Sequence, residues 1–262
     1  MPSRPLYIYL PRGYHEQPQL FYPVIYMQDG QNCFEQFVDD SYAGSWQADR
    51  VADLLIQDGL MHECIIVGVG HGGADRIVEY MPPFATFPPR YKAGDNSNQQ
   101  DISRVGRADA TVDYYIHDVH AYISSNFRAL RRREYIAFCG SSMGGLFSLF
   151  AAWHAPEFVQ QVAALSTSFW ITQDGENRFS MIEKMRQAPN LPLRVWLDSG
   201  TQASPGSGDD GQDQTQLARD VLLAAGFVEG DNLGYFLDVG ATHSERAWSQ
   251  RLDKIFQFLF ST

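Results

Sequence analysis

Cysteine is scarce in this chain: Cys33, Cys64 and Cys139 are the three thiols in 262 residues. An odd count leaves one unpaired in any disulfide scheme. Cys64 and Cys139 stand in apolar, strand-like runs, where a reduced thiol behaves as a small hydrophobe. Basic residues are short as well. Twenty Lys and Arg against 31 Asp and Glu give a formal charge of -11 and a pI near 5.0. That balance argues against a phosphate backbone or an anionic membrane as main partner, because either would be repelled. The only basic run, Arg131-Arg132-Arg133, reads as a solvated turn before a strand. No apolar stretch is long enough to span a bilayer, and Met1-Pro2-Ser3-Arg4-Pro5 lacks the charged and apolar regions of a secretory signal. A cytoplasmic protein with no nucleic-acid or membrane partner is the expectation. What is present, 44% hydrophobic and 13% aromatic residues, suits one large α/β domain over 1–262.

Apolar runs that read as strands alternate with helical patterns along the chain. Leu6 to Leu10 and Tyr22 to Met27 come first, the second apolar enough to be buried on both faces. A helix from Trp46 to about Gln57 follows, with Ser45 as N-cap, and then a strand from Cys64 to Val69. Residues 70–107 hold many Pro, Gly, Asn and Gln, too long a stretch for a plain connection. This segment is expected to be a lid or pocket wall carrying Tyr80, Phe84, Phe87 and Tyr91, or else a surface excursion packed by its own aromatics. Helical periodicity runs from Asp109 to Phe127. Later strands are expected at Val162 to Ser166, Leu193 to Asp198 and Leu233 to Asp238, with helices near Arg178 to Arg186, Gln212 to Ala225 and Glu245 to Leu259. Such alternation predicts a mostly parallel central sheet with helices on both faces, and sites at the carboxyl ends of its strands.

The densest chemical signal lies at Gly140-Ser141-Ser142-Met143-Gly144, a Gly-x-Ser-x-Gly between an apolar strand and an apolar helix. This is the pattern of a nucleophile elbow, in which flanking glycines let strand and helix cross closely and hold the central serine clear of the backbone. The glycine spacing selects Ser142 over Ser141. A serine hydroxyl needs a base to take its proton during attack. Of seven histidines, His243 alone follows a late strand through a turn-forming Gly240-Ala241-Thr242 and precedes the terminal helix, the position of the base in an α/β-hydrolase fold. The acid is expected in the loop after Leu193 to Asp198, with Asp209 and Asp210 as candidates because a glycine-flanked turn can bring either beside the imidazole. Asp213 reads as the start of the next helix and Asp198 as a strand end.

Two loops offer an oxyanion-hole donor beside the Met143 N–H. Asp29-Gly30-Gln31-Asn32 would supply the Gln31 N–H, and His71-Gly72-Gly73 is similar to the HGGG of some lipases. The first is preferred, since Gly30 closes the strand expected beside the elbow strand. Phe169 and Trp170, leaving another strand end, are expected to shape the substrate pocket.

These segments together resemble the putative-esterase family of α/β-hydrolases, which includes esterase D-like S-formylglutathione hydrolases, enterochelin esterases, feruloyl and acetylxylan esterases and mycolyltransferases. The resemblance is carried by Tyr22 to Gln31, Arg76 to Tyr80, Gly140 to Gly145, Leu197 to Thr201 and Thr242 to Glu245. It implies Ser142 as nucleophile, His243 as base and a site-supporting role for Glu79 and Tyr80. Family members commonly carry the acid three residues after the glycine of the Gly-Thr step, which here is Ala203, so the acid must come from the extended loop. The implied activity is carboxylic ester hydrolysis through an acyl-enzyme on a small-molecule ester, with a Ser-His-Asp triad and no cofactor or metal. An acyltransferase would use the same residues, and a binding protein could keep the fold without the chemistry. Two weaker signals compete. Gly68-x-Gly70-x-x-Gly73 matches a dinucleotide fingerprint but runs soon into Pro82-Pro83, and His117 and His120 share one side of a helix, as metal ligands or solvated residues would.

Overall fold

The computed structural model describes residues 3–41, 43–87, 104–174, 176, 178–187, 191–202 and 209–262. Its strands are β1 (Leu6–Tyr9), β2 (Val24–Gln28), β3 (Ile65–Val69), β4 (Thr86–Phe87), β5 (Arg104–Val105), β6 (Ile136–Ser141), β7 (Gln161–Leu165), β8 (Arg194–Gly200) and β9 (Leu233–Asp238). Seven of them form one sheet in the order β1-β3-β2-β6-β7-β8-β9. Within this sheet β1 runs antiparallel to β3 and the other pairings are parallel. This is the mostly parallel, helix-covered sheet of the α/β-hydrolase fold. β4 and β5 pair separately; residues 88–103, which include the Tyr91 expected to line a pocket, lie outside the described residues.

Strand residues alternate between two cores because successive side chains point to opposite faces. Val24, Tyr26, Ile136, Phe138, Val162 and Val195 face one core, built with α3 (Ala108–Tyr114), α5 (Met143–His154), α6 (Ser180–Gln187) and α7 (Gln212–Ala224). Ile25, Met27, Ala137, Cys139, Ala163 and Trp196 face the other, built with α1 (Ala48–Gln57) and α9 (Leu252–Phe260). Helix α5 is buried from Met143 to Trp153, which explains its all-round apolar sequence.

Local departures from the sequence reading have physical causes. Helix α1 begins at Ala48, because Gln47 takes a left-handed conformation and the Ser45 hydroxyl accepts the Gln47 N–H at 3.0 Å instead of capping the helix. The helical run around Asp109 to Phe127 is continuous but contains a π-turn over Tyr115–His120 between α3 and α4 (Ala121–Asn126). There the His120 Nδ1 lies 2.7 Å from the Tyr26 hydroxyl, so this histidine is engaged in the core rather than on a solvated face. The closing helix is broken into α8 (Glu245–Ser249) and α9 at Gln250 and Arg251, where Arg251 turns into the interior. A short α2 (Arg76–Tyr80) follows β3. Gly68 is accounted for by packing: a Cβ there would sit 2.9 Å from the Gly30 Cα.

Strand-to-helix crossing at the elbow depends on Gly140. A Cβ there would stand 2.7 and 2.8 Å from the Gly144 carbonyl carbon and oxygen, whereas one on Gly144 would come no closer than 3.1 Å to its nearest neighbour, the Gln28 Cβ. Gly140→Ala is therefore expected to destabilise by about 1–3 kcal/mol, and more than Gly144→Ala does. Denaturant midpoints of the two variants check the order.

Candidate active site

Register brings the carboxyl ends of four neighbouring strands into line: Met27 pairs with Cys139, Ser141 with Leu165, and Leu165 with Asp198. At three of these ends the next residue is a non-glycine with positive φ: Asp29 after β2 (56°), Ser142 after β6 (56°) and Ser166 after β7 (44°). Such conformations strain an L-residue and persist only where the surroundings over-determine them. Ser142, at φ 56° and ψ -121°, immediately precedes α5. Its N–H donates to the Leu165 carbonyl at 2.8 Å, and its hydroxyl lies 3.1 Å from the Ser168 hydroxyl. Met143 opens the helix, so its N–H is one of the first-turn donors without an intrahelical acceptor.

His243 sits between β9 and α8, with Nδ1 2.6 Å from Asp210 Oδ1. The two candidate carboxylates part here. Asp209 is exposed and accepts the Gly211 N–H at 3.0 Å, a local turn contact. Asp210 turns inward with a fully buried side chain, accepting also from the Ser166 hydroxyl at 2.6 Å and from the Gly200 N–H. Burial alone would raise its pKa, but the hydrogen bonds from His243, Ser166 and Gly200 together hold it below the ordinary aspartate value. Asp213 lies in the first turn of α7. Asp198, expected merely to end a strand, is instead buried within β8 and paired with Arg251 at 2.7 Å. Burial raises its pKa against the pull of Arg251 and Trp196. The rest of the expected acid loop, 203–208, lies outside the described residues.

Gln31 lies in the turn Gly30–Asn32 that follows β2, beside the elbow strand. That turn is pinned at several points. Asp29 receives a two-point grip from Arg76, at 2.6 and 2.7 Å, and its N–H donates to the Tyr80 hydroxyl at 3.2 Å. Burial works against the charge on Arg76, but Asp29 overcomes it and holds the guanidinium pKa above its ordinary value. Asn32 donates to Glu245 at 3.2 Å, a carboxyl whose pKa is raised by burial. The side-chain amide of Gln28, the last residue of β2, faces the carbonyls of Cys139 and Gly144; with its nitrogen assigned toward them it donates at 2.9 and 3.3 Å, tying the turn to the elbow. Sequence reasoning missed Gln28 and Arg76 as supports, since each is polar only in reference to a neighbouring strand end. Glu79 is ion-paired with Arg4, and Tyr80 is buried against Phe147 rather than lining a pocket.

The two expected pocket aromatics diverge. Trp170 is 52% exposed, whereas Phe169 is wholly buried among the core residues and presents no surface to a ligand. In the turn Phe169–Thr172 the ring nearest the strand end is drawn into the core, which corrects the pocket expectation for Phe169. Phe84 stays near the surface and packs on Phe150. A groove of about 740 Å³ lies at the opposite, amino-terminal edge of the sheet, among Phe21, Glu63, Glu134, Tyr135 and Arg194. It shares no residue with the cluster around Ser142. Among the described residues no helix is long and apolar enough to cross a membrane.

Comparison with known proteins gives the family and the fold. The sequence profile of the family described as "Putative esterase" matches residues 2–259. Among curated proteins, the uncharacterized protein YbbA of Bacillus subtilis (strain 168) is 22% identical, over 98% of this chain and 93% of its own length. Among solved structures, an IroE-like serine hydrolase from Shewanella oneidensis superposes with a TM-score of 0.71 at 23% identity, over 98% of this chain and 75% of its own. A ferulic acid esterase from the anaerobic fungus Anaeromyces mucronatus does so with a TM-score of 0.65 at 21% identity, over 97% and 84%. At these identities the structural likeness speaks to the fold.

Proposed function

The chain belongs to the esterase family, and from that membership we propose that it hydrolyses carboxylic esters of small molecules through an acyl-enzyme on Ser142. The observation that carries the reading is the 2.6 Å contact between His243 Nδ1 and the buried Asp210 carboxylate, at the strand edge that also holds Ser142 in a strained elbow. With Nδ1 facing Asp210, the base in this reading is the second ring nitrogen, Nε2.

In this mechanism His243 takes the Ser142 proton as the oxygen attacks the ester carbonyl. The oxyanion forms against the N–H groups of Met143 and Gln31, the former aided by the amino terminus of α5. His243 then returns the proton to the leaving alcohol, activates water on the acyl-enzyme and regenerates the serine, while Asp210 stays ionised and steadies the imidazolium. The Ser168 hydroxyl gives Ser142 a hydrogen-bond partner between turnovers. Trp170, exposed on the turn that begins next to Ser168, is the surface offered to the acyl or alcohol group.

A fluorophosphonate probe tests the reading directly. Peptide mass mapping is expected to find one covalent adduct, on Ser142, and none in a His243→Ala variant within the same exposure. A folded protein that leaves Ser142 unmodified while the probe is intact would remove the nucleophile from the proposal.

A further inference from the structure

Behind the His243–Asp210 contact lies a second buried layer of polar groups that the reaction itself does not use. Arg251, with a side chain 1% exposed, donates from Nη2 to Asp198 at 2.7 Å and to the Ser166 hydroxyl at 2.9 Å. Trp248 Nε1 donates to the same hydroxyl at 2.9 Å. A hydroxyl has two lone pairs and one proton. With both lone pairs occupied, the proton of Ser166 has one remaining direction, and it is donated to Asp210 Oδ2 at 2.6 Å. Asp198 is fixed in turn by Trp196 Nε1 at 2.7 Å. The chain of contacts thus runs from β8 through Arg251 and Ser166 to the carboxylate that meets His243.

We propose that Ser166, oriented by Arg251 and Trp248, is a positioning residue that holds the Asp210 carboxylate with Oδ1 toward the imidazole; this rests on reading Ser142, His243 and Asp210 as the catalytic groups. The backbone supports the assignment. Ser166 is held at φ 44°, strain that a purely space-filling serine gives no reason to retain. The charged neighbours are few. Asp210 faces His243 and, across Ser166, Arg251 and Asp198. His243 also feels Glu245, which faces Asp29 and Arg76, and Arg251 reaches Asp238 at 3.4 Å.

Ser166→Gly is the informative variant, because glycine adopts this φ without strain and takes away the hydroxyl together with a single carbon. Loss of the hydrogen bond leaves the Asp210 charge concentrated toward His243, which favours the imidazolium. The expected result is a kcat lower by about 10- to 100-fold with KM within about twofold of wild type. The acid limb of the kcat/KM profile moves to higher pH. Trp248→Phe, which frees one lone pair of Ser166 while keeping an aromatic ring in place, shifts the limb the same way by a smaller amount. A serine that is structural only would alter the melting temperature and leave kcat per folded molecule and the acid limb unchanged, and that result in Ser166→Gly overturns the proposal. Should Ser166→Gly fail to fold, an unmoved limb in Trp248→Phe overturns it. The two readings fail separately. Wild-type protein that forms no Ser142 adduct defeats the esterase mechanism, whereas wild type that labels while Ser166→Gly turns over normally defeats only the role of Ser166.

Discussion

Ser142→Ala is expected to lower kcat on a simple aryl ester by about a million-fold, equivalent to about 8 kcal/mol of transition-state stabilisation, with substrate affinity little changed. The size follows from what the variant removes. No other hydroxyl stands at the strained position that heads α5. Ser141 is buried at the end of β6, and Ser168 hydrogen-bonds Ser142 from its own turn rather than from the head of α5. What survives is the oxyanion hole and binding, which in enzymes of this design leave a residual acceleration of about a thousand- to ten-thousand-fold over water. Stability should move little, because alanine keeps the same backbone strain and gives up only the 3.1 Å contact with Ser168. Steady-state kinetics beside a melting curve check both parts. A kcat within tenfold of wild type, at unchanged melting temperature, would mean that another group attacks the ester.

Asp210→Asn is expected to reduce kcat by about ten-thousand-fold, as loss of the acid does where it selects the imidazole tautomer, while Asp209→Asn stays within about twofold of wild type. An amide offers its NH2 or its oxygen to His243 but cannot balance the imidazolium. The same variant carries a stability signature. The Asp210 pKa is lower in the folded chain than the ordinary 3.8. Its carboxylate therefore contributes stability that is fully present above the unfolded value and is lost as pH falls through the folded one. The gap in melting temperature between wild type and Asp210→Asn should narrow as pH falls below about pH 4. Glu245, whose pKa is shifted upward by burial, is common to both proteins and cancels in the difference, whereas Asp198, raised by burial and in small part by the Asp210 charge, cancels only in part. Equal losses of activity in the Asp209 and Asp210 variants would point to a collapse of the loop instead.

Much of the fold is legible in the chain because local physics and global topology agree in it. Continuous apolar runs mark strands buried on both faces, and β2, β6 and β7 are all of this kind. The elbow is legible for a different reason: its geometry needs glycines at fixed offsets, and sequence records glycine directly. Asp209 and Asp210 show where such reasoning runs out. They are chemically identical neighbours, and what separates them is the Gly200 N–H, the Ser166 hydroxyl and His243, all distant in sequence. Arg251 is hidden more thoroughly, since in a terminal helix it reads as one more solvated charge, yet it is among the most deeply buried large side chains. The π-turn at Tyr115–His120 leaves the apolar spacing of its helix nearly intact and so has no signature of its own. Phe169 departs from the pocket expectation for a simpler reason: of two adjacent aromatics on a turn one is drawn into the core, and composition does not say which turns outward.

The left-handed residues at the ends of β2, β6 and β7 have a consequence for anyone breeding this protein for heat resistance. Glycine at Asp29, Ser142 or Ser166 would relax the backbone, and wherever that relief outweighs the hydrogen bonds given up a screen that scores survival on heating alone would reward it. Each such gain would erode turnover by a different route: a loosened Gln31 amide, a missing attacking oxygen or a carboxylate no longer aimed. Hardier variants altered at these three positions should therefore be assayed for ester turnover before they are kept.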